Sequence, residues 1–591
     1  MENIREAGAP SIGIIGGGLS GVATLGALVK SLPPQSRITI FDAAGVFGSG
    51  AVYNAEAPPC FTLNHEADLM GGLDIARNFS GPKGANADFL RWAVHNRKPI
   101  MEEYREKWGQ DFPQEIAQLD ADLKQKNAGA YLPRSLYGKY VGAAYEEFRA
   151  QAKRKGIEVV PVKGEVQDIT KTETGQSITC RVTDAQEQKY VDVDASALCI
   201  GHWISPPASS LKDAKDYYVS PYTKKLWQAR DALKGKNVAI QGAGLSAADA
   251  AIAAIEIGGA DKVTMFSHHG KMRELRGKTA PYNPSYLTIE NLEQRALEAG
   301  VTARGEDGKI QFRLQDVLEL GKQEIELAHA RAGQLERVTP QGWTEAFTPS
   351  QPLAYMKARI AEVEQGKEIP WRSVLNSLAP VREEIYRRLI PADKQKFLQS
   401  GYSTWLAFQA PMPLTTAKKL TRWMEEGRLT VESGLSTLDY SPERAQPFRL
   451  ITLKDKNGNP VIEPPAFEPT TALTSQQAFH ADAVISTTGQ DRRVQKIPLI
   501  SNMLQSGQLK EHPQGGIQAD PITFRVKSDK PAPEKIFAIG TIIMGEQFII
   551  NSLTTVDDAR AMTASMLDSL QLGHMATAAR GRPGASSSLR L

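Results

Sequence analysis

Two glycine-rich turns, more than two hundred residues apart, are the part of this 591-residue chain best suited to chemistry. The first, Gly16, Gly18 and Gly21, lies in Ser11-Ile-Gly-Ile-Ile-Gly-Gly-Gly-Leu-Ser-Gly21. The second, Gly242, Gly244 and Ala247, lies in Asn237-Val-Ala-Ile-Gln-Gly-Ala-Gly-Leu-Ser-Ala247. Each follows an apolar run of strand type and opens a helix of small residues. In G-x-G-x-x-G or its G-x-G-x-x-A variant, the first glycine permits the tight turn. The second lets backbone amides approach a pyrophosphate, and the third position packs helix on strand. The phosphate then rests on the positive helix N-terminus. One turn of this kind holds one dinucleotide. Two suggest electron transfer between a bound pair.

The stretch after the first turn separates the two dinucleotides. A second strand, Arg37-Ile-Thr-Ile-Phe41, ends in Asp42, twenty-one residues past Gly21, where a carboxylate can accept ribose hydroxyls. A solvated charge at a strand end is the alternative reading of Asp42. Then come Gly45-Val-Phe-Gly48-Ser-Gly-Ala-Val-Tyr53 and Phe61-Thr-Leu63-Asn64-His65, ending in Met70-Gly-Gly72. A ligand as long as FAD needs such close backbone approach, with the Asn64 amide facing its flavin. Asn64 is thus the first candidate for a catalytic contact and His65 the second, although a lone histidine in a loop is more often structural.

At the second turn, the adjoining strand Lys262-Val-Thr-Met-Phe-Ser267 ends in His268-His269-Gly270, with no carboxylate for an NAD ribose. His268 and His269, with Arg273 behind them, offer positive charge to the extra phosphate of NADPH; NADH stays open. Ser246 belongs to the same turn. Arg273, Arg276 and Lys278 would serve equally to clamp a substrate carboxylate.

The ordered series of motifs, with Cys199-Ile-Gly201-His-Trp-Ile-Ser-Pro-Pro207 added, resembles the bacterial FAD/NAD(P)-binding protein family. That family is related to the N-hydroxylating and other two-dinucleotide flavin monooxygenases. The resemblance runs from about Ser11 to Gly300 and resumes in three pieces: 371–427, Ala483-Val-Ile-Ser-Thr-Thr-Gly489, and Ile536-Phe-Ala-Ile-Gly540-Thr541. It implies an α/β fold of two Rossmann-like dinucleotide domains with a mainly helical insertion. The FAD domain is then discontinuous, with Gly540 and Thr541 returning to the flavin. Gly201 and Gly489 close strands where the chain crosses between domains. Asn551 and Ser552 precede a helix whose positive end suits the flavin pyrimidine.

The expected layout is an FAD domain over 10–205, an NAD(P) domain over 206–300 and a helical insertion over 301–428. Return strands of the NAD(P) domain follow over 429–480, the rest of the FAD domain over 481–572, and a disordered tail over 573–591. Tryptophans in the insertion (Trp343, Trp371, Trp405, Trp423) read as core. An Asn457-Gly458 pair reads as a hairpin turn.

Composition narrows the function. Hydrophobic residues make up 41% and charged ones 23%, with net charge +3 and both signs interspersed. That gives no electrostatic case for nucleic acid or a membrane surface. No apolar run is long enough to span a bilayer, and the polar Met1–Pro10 does not read as a signal peptide. The three cysteines are far apart and form no CxxC pair, metal set or dithiol relay. A cytoplasmic enzyme without a metal is expected, and its oligomeric state is left open. With no protein dithiol to take electrons, oxygen is the readiest acceptor. The first expectation is therefore a single-component FAD monooxygenase using NAD(P)H and O2 through a C4a-(hydro)peroxyflavin, N-hydroxylating a small amine or amino acid. The second is an FAD-dependent NAD(P)H reductase with another acceptor; a nucleotide-dependent sensor is the third.

Overall fold

A strand covered on both faces must be apolar throughout, and β1 (Ser11–Ile15) is buried at all five positions. The computed structural model describes residues 9–572 apart from 83, 85, 184–186, 205–206, 229–230, 269, 306, 335–350, 456–457, 459, 461–474, 489–491, 532–533 and 549–551. The expected tail at 573–591 and Trp343 lie outside the described residues. The chain divides into two compact units, residues 1–203 with 490–590, and residues 204–489.

In the first unit, β1 is followed by helix α1 (Leu19–Ser31) and β2 (Arg37–Asp42). The chain then runs through helices to β3 (Glu158–Lys171), β4 (Gln176–Val182), β5 (Gln188–Val193) and β6 (Ala195–Leu198). A seventh strand, Ile536–Ala538, comes from the far end of the chain, and the sheet order is Ile536–Ala538, β6, β1, β2, β3, β4, β5. From the seventh strand to the first half of β3 every pair is parallel, with Ile14 between Ala197 and Ile40. The second half of β3 turns antiparallel with β4, and β4 with β5. Sequence neighbours leave β1 toward β2, whereas β6 stands on its other side. That reversal is a topological switch point, where open α/β sheets bind ligands.

The second unit repeats the device. Its sheet joins β7 (Tyr217–Tyr218), β8 (Asn237–Gln241), β9 (Lys262–Ser267), β10 (Leu429–Ser433) and a strand at Ala483–Ser486. The order is β10, β9, β8, Ala483–Ser486, β7, all parallel. The switch point lies between β8 and Ala483–Ser486. Between β9 and β10 come the insertion helices, among them Ile289–Glu298, Leu314–Arg331, Pro352–Glu364 and Leu414–Glu425. Trp423 is fully buried there, and the Trp371 ring meets Phe408 edge-on at 5.1 Å.

Two expected boundaries are corrected. The run Ala483–Ser486 was expected in the last part of the FAD domain, from 481, yet it pairs with β8 and the division falls at 489/490. Its apolar Ala-Val-Ile fills the buried place between β8 and β7, which a strand covered on both faces requires. Among the described residues of the expected return strands at 429–480, only β10 joins the parallel sheet. Leu435–Tyr440, Phe448–Lys454 and Ser475–Ala481 form a separate antiparallel sheet. The proposed turn at Asn457-Gly458 lies partly outside the described residues.

Candidate functional site

The first turn is built by three close approaches. Gly16 has φ +115°, and a Cβ there would overlap the carbonyl of Cys199 at the end of β6. A Cβ on Gly21 would overlap the carbonyl of Gly16, so α1 starts directly on the turn. Gly18 differs: its Cβ would meet only the Cα of Gly50, at 3.7 Å. Gly18 is also the N-cap of α1, with no side-chain cap and no acid in the first turn. Helix N–H groups that no side chain caps among the described residues, behind a glycine cradle, are what a phosphate needs. The residues present fit a dinucleotide.

Asp42 braces this cradle from beneath. Its Oδ2 accepts the Gly17 N–H at 3.2 Å, and its Oδ1 those of Ala44 (3.0 Å) and Val46 (3.1 Å). The carboxylate thus orders the loop. Gly48 donates to the Gly17 carbonyl at 2.7 Å. The loop then lies on helix Arg134–Arg154, where Gly48 abuts Gly142 and the Tyr53 carbonyl abuts Gly138. The Tyr53 ring meets the buried Tyr137 edge-on at 4.8 Å. Gly138 and Gly142 were not singled out in the sequence; their four-residue spacing on one helix face was the signal.

Gly540 and Thr541 arrive from the other side. Gly540, which follows the Ile536–Ala538 strand, faces Ser20 of α1, and the Thr541 hydroxyl donates to the Gly201 carbonyl. Six sequence candidates therefore gather around the end of β1: Gly16, Gly18, Gly48, Gly540, Thr541 and, through Thr541, Gly201. Cys199 beside them is buried, within 3.6 Å of the Thr24 hydroxyl, and burial pushes its thiol up to about 12. It stays protonated and serves as packing.

The Leu63–Gly72 loop is held separately. The Leu63 N–H donates to the Leu132 carbonyl at 2.9 Å, and Ala67 to Ala130 at 2.9 Å. The buried Asp88 accepts from Tyr140 (2.5 Å), Ile75 (3.1 Å) and Ala76 (2.8 Å), fixing the loop's exit. Asn64 and His65 sit half-buried between these anchors. Helix Ser552–Ser569 packs along α1 and reaches the same loop, with the Ser552 hydroxyl 3.7 Å from the Met70 sulfur and Arg560 donating to the Gly72 carbonyl. Asn551 lies outside the described residues, as do His269 and Gly489.

The second turn follows the same rules. Gly242 has φ +128°, and a Cβ there would overlap the Thr487 hydroxyl, which donates to the Gln241 carbonyl at 2.7 Å. Gly244 caps helix Leu245–Ile252, again without a side-chain cap or an acid in the first turn. Ala247 is fully buried, and Tyr222 donates to Asp249 at 2.7 Å while reaching Ser246 at 3.4 Å. At the end of β9, the Ser267 hydroxyl accepts the Gly270 N–H at 2.8 Å, and His268 is exposed.

Arg273 departs from its expected place at the strand end. A Cβ on Gly244 would lie 3.3 Å from its Nη2 and 3.4 Å from its Nε, so the guanidinium covers the turn itself. The reason is the backbone: Glu274 donates to Ala407 (3.0 Å) and accepts from Met412 (2.7 Å), pinning this segment against the insertion. Burial lowers the Arg273 pKa to about 10, which leaves it charged at neutral pH. The carboxylate of Glu274 is engaged by Lys271 at 2.6 Å and by the Tyr355 hydroxyl at 2.7 Å.

With this geometry in place, the comparisons fall into order. Residues 13–203 match the model of an FAD-NAD(P)-binding family. They form an FAD-NAD(P)-binding domain. The domain spans β1 to β6 with the first turn, and the match stops at the end of the first unit's N-terminal part. Solved structures similar to the chain include the reduced form of an ornithine hydroxylase from Pseudomonas aeruginosa, at 12% identity and TM-score 0.47, covering 95% of this chain and 100% of that one. An ornithine N-hydroxylase from Kutzneria sp. 744 is similar at 12% identity and TM-score 0.45, over 95% and 99%. A bacillithiol disulfide reductase from Bacillus cereus is similar at 10% identity and TM-score 0.43, over 95% and 100%. No curated protein matches the chain by sequence. Among the described residues no helix is long and apolar enough to cross a membrane.

Proposed function

We propose that this chain is a single-component FAD-dependent monooxygenase that draws electrons from NAD(P)H and N-hydroxylates a small amine or amino acid with O2. One observation carries the reading: each unit has, at the switch point of its parallel sheet, a glycine turn in front of a helix N-terminus without a side-chain cap. The first turn would hold FAD, with Gly18 and Gly50 admitting the pyrophosphate and Asp42 the ribose. Gly540, Thr541 and Ser552 would face the flavin. The second turn would hold the nicotinamide nucleotide on Gly242, Gly244 and Ser246. Bound FAD supplies hydride acceptance and oxygen activation; the protein supplies orientation and exclusion of water. Asn64, with His65 beside it, is assigned a hydrogen bond to the flavin, from a loop whose ends Leu132 and Asp88 fix.

The acceptor follows from the cysteines. All three are buried and none is in a disulfide, so no dithiol stands ready to relay electrons. The same thiols suit the reducing cytoplasm, where we place the enzyme. The deciding experiment incubates the FAD-loaded protein with NADH or NADPH, first without and then with oxygen. An N-hydroxylase consumes nucleotide and O2 together and, given its amine, yields hydroxylamine in place of peroxide. Anaerobic turnover with an artificial acceptor and no amine-dependent product would instead mark a reductase. Protein that takes up no FAD would end both readings.

A further inference from the structure

We infer that Arg273 binds the pyrophosphate common to NADH and NADPH, and that it takes no part in choosing between them. The inference rests on the proposed nucleotide site at the second turn and assigns a role within it. Two independent features converge on one point. Gly244 begins helix Leu245–Ile252 with N–H groups that no side chain caps. The three nearest neighbours of a Cβ placed on Gly244 are all atoms of Arg273. Its Nε and Nη1 are buried and have no hydrogen-bond partner.

A buried guanidinium with idle donors is costly, because a charge taken out of water needs a counter-charge or hydrogen bonds. The adjacent carboxylate cannot serve, since Glu274 is already paired with Lys271 and Tyr355. Its titratable neighbour is the phenol of Tyr402, uncharged at neutral pH, rather than an acid. The arrangement is completed by an anion that presents two oxygens, the ligand a guanidinium fork takes best. A phosphate on the Gly244 turn meets that description. The 2′-phosphate of NADPH does not, because in this fold it lies at the end of the second strand, here Ser267 and His268, and not over the glycine turn. Arg276 and Lys278 continue along the same extended segment, tied to Met412 and Ile369 through their backbones.

The test is calorimetric binding to the full-length protein in its oxidised form, so that no turnover is involved. The probes are NADH, NADPH, ADP-ribose, which has the pyrophosphate alone, and 2′-AMP, which has the 2′-phosphate alone. Arg273→Gln is expected to weaken NADH, NADPH and ADP-ribose by one common factor, about 10- to 150-fold, the span for a lost charge-assisted hydrogen bond. It should leave 2′-AMP unchanged. Arg273→Lys, which keeps the charge without the fork, should give a smaller but equally shared loss, and it decides the matter if the Gln variant does not fold. A loss confined to NADPH and 2′-AMP, or no loss in a folded variant, overturns the inference and leaves the proposed function standing. Wild-type protein that binds none of the dinucleotides overturns both.

Discussion

Gly18 and Gly50 face each other across the first turn, and a Cβ built on either would come to 3.7–3.9 Å of the other's Cα. Chain neighbours apart, nothing else among the described residues lies within 4 Å of either Cβ. Gly16, two residues earlier, abuts the Cys199 carbonyl instead. One motif thus contains glycines of two kinds, and substitution tells them apart.

Gly18→Val should fold with a stability change within about 1 kcal/mol, since φ of −77° suits a side chain and the space is open. It should nevertheless lose FAD, because the added methyls occupy the place of the pyrophosphate. Gly16→Ala should lose about 2 kcal/mol or more through its backbone conformation and the overlap with Cys199. Thermal melting with flavin absorbance on the same samples checks both. Equal destabilisation of the two variants would refute the distinction.

Gly244→Val should keep its yellow colour and lose affinity for nicotinamide nucleotides. The side chain would press on Arg273 and cover the helix N-terminus, while the first unit keeps its own turn. Flavin content and NADPH binding by calorimetry, read side by side, decide this.

Gly138→Ala should weaken FAD retention from outside the cofactor cradle. Its methyl would strike the Tyr53 carbonyl and lift the loop carrying Gly48 and Gly50. Overpacking of this kind costs about 1–3 kcal/mol. FAD dissociation measured by dialysis should quicken relative to wild type, and an unchanged rate in a destabilised protein would show the contact to be merely structural.

A pH effect is expected at Glu324 in the insertion. Burial alone would raise its carboxyl, but the Tyr282 hydroxyl and the N–H groups of Leu287, Ser285 and Tyr286 outweigh burial and hold it below the ordinary 4.5. The distances are 2.6 Å to the hydroxyl and 2.9, 2.8 and 2.5 Å to the three amides. A carboxyl lowered on folding stabilises fully above its unfolded value and loses that contribution as pH falls through its folded one. Glu324→Gln should therefore melt below wild type at pH 7. The gap should narrow steadily below about pH 4.5. A gap independent of pH would disprove the assignment.

Much of the fold was legible because its signals are local. β1, β2, β8 and β9 were readable as apolar runs closed by glycine or a polar residue, and both turns by their spacing. Ala483–Ser486 was legible as a strand and assigned to the wrong sheet, since nothing in three apolar residues and a serine names a partner some 240 positions earlier. Gly138 and Gly142 escaped notice because a glycine inside a helix looks like a weakness until the loop lying on it is known. Arg273 was found by its charge, but its position over Gly244 depends on hydrogen bonds to Ala407 and Met412, far along the chain.

The strand Ile536–Ala538 has a consequence for how the molecule is made. On the ribosome, β1 to β6 emerge first, yet the strand beside β6 and the helix along α1 are translated only after the whole of 204–489. The second unit's sheet needs nothing later than Ser486, so in vectorial synthesis it can be finished while the first still lacks an edge. Of the two units, the one whose synthesis starts earlier is thus the later to close.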